Sequence, residues 1–571
     1  MLRLRALLVP LSLFALALFV RAIGLSWGLP NAGRWGSYHP DESTYQIVGA
    51  VVRVLQGDFN PHFFNYPSLS IYATTLIYFG QSALGFVTLT PPGTAYPWPL
   101  VHDIIVAGRV FSVICGAGTA VAVYALAREV GLRRGAVLAG LLMALCPGLV
   151  QHSHFATVDA PATFFVALCL WATLRAWNFP SRTGLWILAG ALAGLATGTK
   201  YNAGLVVLAP MVALWLARRG ATKLHTSRLE PHVSPAPDAV RAGLTSSSNH
   251  LIPAWLFPAM LGVAALAFFL STPYALLAPR EFWGEPNDPR GIGFGYELLV
   301  HPRIGHGEVF TGTGLGWWYH LTFNLPFVLT WPLLLAGLGG AFFAVKDRRH
   351  WPLLAFALVY FLIIGTSQVR FMRYTFFLVP ILLVWAALLA SRLPKAAVWG
   401  GALTLFAAWG TKDVLVPFVS VDPRDRAADY MKQVGGQPTL IGNPWFYTPP
   451  FQPRNFNAPV PGVKIVGLDA SKVDPKTDTL AVSQFEVQDG LRLRPNGPEA
   501  KFLEEAKEVG FRTRPNFPRT RLGFVPFDPF VEPFDPTVLP NRGQEPSDYL
   551  YTHPYVLVFR LEPATPARPS P

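Results

Sequence analysis

A succession of long apolar segments limits the possible folds of this chain more than any other feature. In order they are Ala6–Trp27, Asp103–Ala127, Gly135–Val150, Ala160–Trp177, Leu185–Gly198, Asn202–Ala217, Ile252–Ser271, Leu325–Val345, Trp351–Thr366, Tyr374–Ala390 and Ala396 to about Val416. Lipid offers no partner to a backbone amide, so such segments cross a bilayer as helices of about 20 residues, fewer inside a bundle. The expectation is an α-helical multi-spanning membrane protein with about eleven transmembrane helices. Composition agrees: 14% of the 571 residues are charged and 51% hydrophobic, whereas about a quarter of a soluble domain is charged. The first segment follows Met-Leu-Arg-Leu-Arg as a secretory signal does. It is too long and lacks a small-residue cleavage site, so it is expected to stay as an anchor.

A net charge of +13 invites a nucleic-acid partner, but the positions of Lys and Arg argue for membrane topology instead. They cluster in short loops: Arg3 and Arg5; Arg128, Arg133 and Arg134; Arg218, Arg219, Lys223, Arg228 and Arg241; Lys346, Arg348 and Arg349; Arg392 and Lys395. Cytoplasmic loops collect such residues. All five groups share one side only if a further apolar stretch, Leu69–Thr90, does not cross. Its Ser70, Thr74, Thr75 and Gln81 suit a helix lying along the outer surface. Membrane lipids are thus expected partners and nucleic acid is not. Cys115, Cys146 and Cys169 all lie in apolar surroundings and read as small buried hydrophobes.

Hydropathy drops after about Val421. Residues 1–417 are expected to form the transmembrane domain, 418–561 a C-terminal soluble α/β domain outside the cytoplasm, and 562–571 a disordered tail. Asp422 is placed to cap a helix, and Thr439–Ile441, Val463–Val466 and Tyr555–Phe559 read as short strands. Ser227–His250, rich in Pro, Ser and Asn, reads as a flexible cytoplasmic loop.

Chemistry concentrates just past the first span, in Tyr38-His39-Pro40-Asp41-Glu42-Ser43-Thr44-Tyr45. Two readings of the acid pair stay open. Asp41 is a good cap for a helix running to about Leu55, with Glu42 favourable in its first turn. A paired acid at the outer surface is equally suited to deprotonate a hydroxyl or to hold a divalent cation such as Mg or Mn. Asp159 follows Gln151-His152-Ser153-His154 and also makes a good helix start. Lys200, Arg370 and Arg373 lie in outer turns, the disfavoured side for positive charge. Snorkelling accounts for them in one reading; a phosphate held at headgroup depth accounts for them in the other. The long outer loop Pro279 to Gly316 brings His301, Arg303, His306 and Glu308.

The order of these motifs resembles a known family. His39-Pro40-Asp41-Glu42, Asn65-Tyr66-Pro67, Ala107-Gly108-Arg109-Val110-Phe111-Ser112, His154 with Asp159-Ala160-Pro161, Gly198-Thr199-Lys200-Tyr201 and Arg370-Phe371-Met372-Arg373-Tyr374 together are similar to the GT-C membrane glycosyltransferases. The branch is that of protein O-mannosyltransferases and the aminoarabinose transferase. The resemblance implies transfer of a sugar from a polyprenyl-phosphate donor to an acceptor hydroxyl on a lipid, glycan or protein, with inversion at the anomeric carbon. It implies surface helices in the first loop, and Asp41 as the base. Lys200, Arg370 and Arg373 are then expected at the donor phosphate, with Glu42 and Asp159 orienting Asp41 or holding a divalent ion. His39, Tyr66, His154, His301 and His306 are candidates to line the substrate loops. The plasma membrane, a bacterial inner membrane, is the expected location. Asn65-Tyr66-Pro67 stands where the aminoarabinose transferase has Glu-Lys-Pro, and loss of that lysine weakens the case for aminoarabinose or a lipid A acceptor. A lipid-linked sugar transporter and a non-catalytic envelope scaffold remain as other readings.

Overall fold

The computed structural model describes residues 2–43, 46–88, 97–229, 252–285, 291–442, 446–451, 463–473, 476–508, 511–513 and 545–561. Most of the Ser227–His250 stretch and all of 562–571 lie outside them.

Each apolar segment falls on a helix or a broken helix. Leu2–Ala22, Trp98–Glu129, Asp159–Asn178, Thr183–Thr199, Leu208–Leu229, Leu256–Ser271, Trp351–Thr366, Val379–Arg392 and Ala396–Val419 are single helices. Among the described residues six helices are long and apolar enough to cross a membrane, seven if the pair Gly316–Leu329 and Trp331–Ala344, bent by 116°, is one span. The protein is therefore a helical membrane protein.

Two segments expected to be continuous are broken. Gly135–Val150 divides into Arg134–Ala144 and Pro147–His152, because Pro147 has no N–H to continue the ladder. The carbonyls freed there do not face lipid. Arg21, fully buried on the first helix, donates from Nη1 to Ala144 O at 2.8 Å, from Nη2 to Met143 O at 3.3 Å and from Nε to Ser153 Oγ at 3.2 Å. The second break is at Thr330, whose φ of 75° is left-handed and ends the helix Leu325–Leu329.

Helix Thr183–Thr199 lies close along Leu256–Ser271 because its contact face carries Gly190, Gly194 and Gly198. A Cβ at these positions would run into Met260 O, Ala264 O and Ser271 Oγ.

Leu69–Ala83, with 15 residues, is about 22 Å long and too short to span. Its polar side chains do not face water, as a surface helix would have them. Ser70, Thr74 and Thr75 turn inward with Ile71 and Tyr78 toward the long helix Trp98–Glu129, while Leu76 and Phe79 are exposed. Thr75 donates to Ile71 O at 2.9 Å, so burial leaves its hydroxyl satisfied.

Beyond Val421 comes helix Pro423–Val434, with Asp422 accepting from Arg424 N at 2.9 Å as its cap. A mixed sheet follows, of β1 Gln437–Ile441, β2 Lys464–Val466, β3 Thr477–Ser483, β4 Phe511–Thr513 and β5 Val556–Leu561, in the order β2-β1-β3-β5-β4. β1 is parallel to β2 and β3, and β5 is antiparallel to β3 and β4. Alternation along the strands buries both faces: Ile441, Leu480, Val482, Leu557 and Phe559 pack with Val487, Leu491, Phe502 and Leu503, while Leu440, Ala481, Val556 and Val558 pack with Ala427 and Met431. This unit is tied to the first loop. Arg34 Nη1 lies 2.9 Å from Asp425 Oδ1, and the Tyr38 hydroxyl donates to the same oxygen at 2.5 Å.

Candidate active site

The sequence Pro40-Asp41-Glu42 folds as a single 3-10 turn, started by Pro40 with its fixed φ and capped by His39 Nδ1, which accepts from Asp41 N at 3.2 Å. The next helix is Ile47–Leu55. It ends where the sequence suggests, but Asp41 does not cap it, and the carboxylate is left to other partners. Asp41 is 8% exposed, and its Oδ2 lies 3.4 Å from Arg373 Nη1. Burial raises the Asp41 pKa, with Arg373 opposing.

Glu42, one residue on, points elsewhere. Arg109 grips it side-on, Nε to Oε1 at 2.8 Å and Nη2 to Oε2 at 2.7 Å; Ala156 N donates to Oε1 at 2.7 Å, and the Ser37 hydroxyl also donates to Oε2. Both oxygens are doubly occupied. Arg109 spends its remaining reach on Leu25 O at 2.7 Å and Trp27 O at 2.6 Å. The expectation had Glu42 orienting Asp41 or holding a divalent ion; here its carboxylate neutralises an arginine that would otherwise stand alone within a span.

Asp159 opens helix Asp159–Asn178 and receives Lys200 Nζ at 2.5 Å. Lys200 sits in extended backbone between helix Thr183–Thr199 and the turn Tyr201–Val207, its ammonium 4.9 Å from the Tyr374 ring centre. The two pairs form one buried charged cluster, called the chamber below: the charges of Asp159 and Lys200 act on Asp41, and those of Arg373 and Lys200 on Asp159. Tyr66 faces the same groups; burial first, then Asp41, pushes its hydroxyl pKa well up. His39 forms a wall, its ring 4.2 Å from Phe155 and 4.9 Å from Tyr551, and burial holds it well below the usual imidazole range.

Four expected contributors have partners of their own. Arg370 turns to the loop that runs from Pro279 to Gly316, donating from Nη1 to Thr313 Oγ1 and Gly314 O, both at 2.7 Å, and from Nε to Ser367 O at 3.2 Å. It organises a turn there, whereas the expectation set it with Lys200 and Arg373 at the donor phosphate. His154 is wedged between Val150 O and Ile23 O, each at 2.8 Å, and stacks on Phe418. His301 is held by Glu297 Oε2 at 3.1 Å. His306 rests edge-on against Phe371, its pKa lowered by burial to about 4, so it is neutral at ordinary pH. Glu297 also accepts from Asn65 Nδ2 at 2.8 Å, which fastens its loop to the first loop.

The sequence reading missed Asp548. It is fully buried, and it accepts from Met372 N and Arg373 N at 3.1 Å each, with His152 Nε2 at 3.9 Å. Ser547-Asp548 followed by Tyr549-Leu550-Tyr551 carried one usable signal, an acid beside an aromatic-rich run in a polar region. Its target, 175 residues away, is set by tertiary structure.

A divalent cation does not fit this donor set. Among the described residues no three His, Cys, Asp or Glu side chains converge as ligands, and Asp41 and Asp159 each already carry a cationic partner.

Residues 90–231 match the family described as dolichyl-phosphate-mannose-protein mannosyltransferase. No curated protein matches the chain. Similar solved structures include the Archaeoglobus fulgidus oligosaccharyltransferase tethered with an acceptor peptide, at 14% identity and TM-score 0.44, covering 88% of this chain and 72% of that one. ArnT from Cupriavidus metallidurans bound to undecaprenyl phosphate aligns at 15% identity and TM-score 0.43, over 74% of this chain and 72% of that one. The S. cerevisiae protein O-mannosyltransferase Pmt1-Pmt2 complex aligns at 21% identity and TM-score 0.29, over 47% and 32%. The matched segment, 90–231, runs through Arg109, Asp159 and Lys200, and over it the chain is similar to that family.

Proposed function

We propose that this protein transfers a sugar from a polyprenyl-phosphate donor to an acceptor hydroxyl, with inversion at the anomeric carbon. The observation that carries the reading is the pairing of Asp41 with Arg373 and of Asp159 with Lys200 in one buried chamber. A lone carboxylate in such surroundings would be protonated, and a lone cation would be costly; together they hold both charges ready.

In the reaction the acceptor oxygen attacks C1 of the sugar from the face opposite the phosphate. The C1–O bond to phosphate breaks as the new C1–O bond forms, and the acceptor's proton passes to Asp41. Arg373 and Lys200 stabilise the charge growing on the departing lipid phosphate. A base works best with a pKa near the working pH, and burial moves Asp41 in that direction. Asp159 keeps Lys200 extended toward the chamber. Tyr66 and His39 shape the wall.

This reading has eleven crossings of a plasma membrane, the inner membrane of a bacterium, with residues 1–417 as the membrane domain. The chamber and the unit from 418 to 561 lie on the non-cytoplasmic side. The eleven apolar segments of the sequence, and the one-sided Lys and Arg loops that this threading gives, support it.

The test is transfer of radiolabel from a synthetic polyprenyl-phosphate sugar by the purified chain in detergent, against candidate lipid, glycan and peptide acceptors. Wild-type protein transfers label and Asp41→Asn does not, although it inserts and elutes as wild type does. Near-normal turnover by Asp41→Asn would remove Asp41 as the base, and failure of every polyprenyl-phosphate donor would remove the reading.

A further inference from the structure

The segment 545–553 belongs by sequence to the α/β unit, yet it is packed among the membrane helices. Tyr549 O accepts from Gln151 Nε2 at 2.8 Å, and the Tyr549 ring meets Phe327 at 5.3 Å. Tyr551 O accepts from Arg424 Nη2 at 2.8 Å while its ring packs on His39. The segment is closed on itself by Glu545 Oε2 and His553 Nε2, 3.0 Å apart. Nine residues thus form a strap anchored to the first loop, to Pro147–His152, to Leu325–Leu329 and to Pro423–Val434.

At its centre is Asp548. The turn Met372–Leu378 begins with amides that have no partner within the turn, as every helix start does. Asp548 supplies one carboxylate oxygen to each of the first two amides, and the second belongs to Arg373. A negative group is also favoured at that end of the turn by the aligned peptide dipoles. The backbone of Arg373 is therefore fixed from one side by the strap, while its side chain reaches Asp41 on the other. Arg373 Nη1 has no hydrogen bond of its own beyond that 3.4 Å ion pair, and the guanidinium lies over the ring of Phe371, 4.2 Å from its centre and two residues back on the same turn, so its aim depends on the backbone of that turn.

We infer that Asp548 is a positioning residue for the donor site: by bonding to the Met372 and Arg373 amides it sets the Arg373 guanidinium where it meets both Asp41 and the donor phosphate. The α/β unit thereby completes the chamber of the membrane part. This inference rests on the donor reading given above.

The test measures binding of undecaprenyl phosphate to the full chain in detergent for wild type, Arg373→Gln, Asp548→Asn and the double variant. Asn keeps one acceptor oxygen but turns an N–H against the other backbone amide. Arg373→Gln is expected to weaken binding about tenfold, the size of one lost charge-assisted contact. Asp548→Asn is expected to weaken it severalfold, and the double variant to bind no worse than Arg373→Gln alone. A strap that served only the fold would give losses that multiply, and that result overturns the inference, as does wild-type affinity in Asp548→Asn. Should Asp548→Asn not fold, hydrogen exchange in the wild-type chain decides: the Met372 and Arg373 amides must be protected, and exchange at the rate of open loops overturns the inference. Absence of any binding by the wild-type chain overturns the donor reading and this inference with it. Weakened binding in Arg373→Gln alone leaves the donor reading standing.

Discussion

Glu42 and Arg109 meet side-on inside the protein, two nitrogens against two oxygens at 2.8 and 2.7 Å, with both side chains fully shielded from solvent. Breaking one half of such a pair leaves an uncompensated charge, at a cost on the order of 3–5 kcal/mol. Glu42→Gln and Arg109→Leu should each lower the unfolding temperature in detergent sharply, and Glu42→Met with Arg109→Leu should recover part of the loss. If Glu42→Gln is as stable as wild type but inactive, Glu42 takes part in the chemistry after all.

Asp41 must be ionised to accept a proton, and burial raises its pKa. Protonation silences the base, so activity is present above the folded-state pKa and is lost as pH falls through it. The acid limb of kcat/KM should therefore lie above the range of an exposed aspartate. Arg373→Gln removes the cation that opposes the shift and should move the limb to higher pH. A limb that stays in place in that variant would mean another group titrates.

The two arginines of Arg370-Phe371-Met372-Arg373 should separate cleanly. Arg373→Gln is expected to lower kcat by about a hundredfold, the usual scale for loss of one transition-state charge partner. Arg370→Gln should leave kcat within a few-fold and instead raise proteolytic sensitivity near Thr313 and Gly314, whose turn it holds. Equal losses of kcat would place Arg370 at the phosphate.

Gly194 lies against the backbone of the neighbouring helix at Ala264. Gly194→Leu should push the helices apart and destabilise the protein by at least about 1–3 kcal/mol, the ordinary cost of overpacking. Gly262 on the facing helix meets nothing within 4 Å, so Gly262→Ala should be silent in the same thermal unfolding measurement.

Apolar length and loop charge made the helices legible, down to Trp351–Thr366, whose ends coincide with the sequence segment. The same signals could not show the breaks at Cys146 and Thr330, since a proline at the first position of a new helix looks like one inside an old helix until the partner of the freed carbonyls is known. In the site, Asp41, Asp159, Lys200 and Arg373 were visible as charges in costly places. Glu42 and Arg370 carried the same mark for a different cause, and only their partners, Arg109 and Thr313, tell the two cases apart. β3 was missed because Thr477-Asp478-Thr479 hides the apolar half of its alternation. Asp548 was missed because an acid in a polar stretch looks ordinary.

Arg21 has a consequence for how the chain is made. Its guanidinium sits on the first helix, and the oxygens that receive it belong to residues 143, 144 and 153. While the ribosome is still supplying the segments between, that helix carries a bare charge with no protein acceptor but Ala17 O, one turn back. The first helix therefore gains its full set of acceptors only once residues 143–153 have been made. Replacing Arg21 with leucine should speed early insertion and yet leave the Met143 and Ala144 carbonyls unanswered, trading an easier start for a poorer finish.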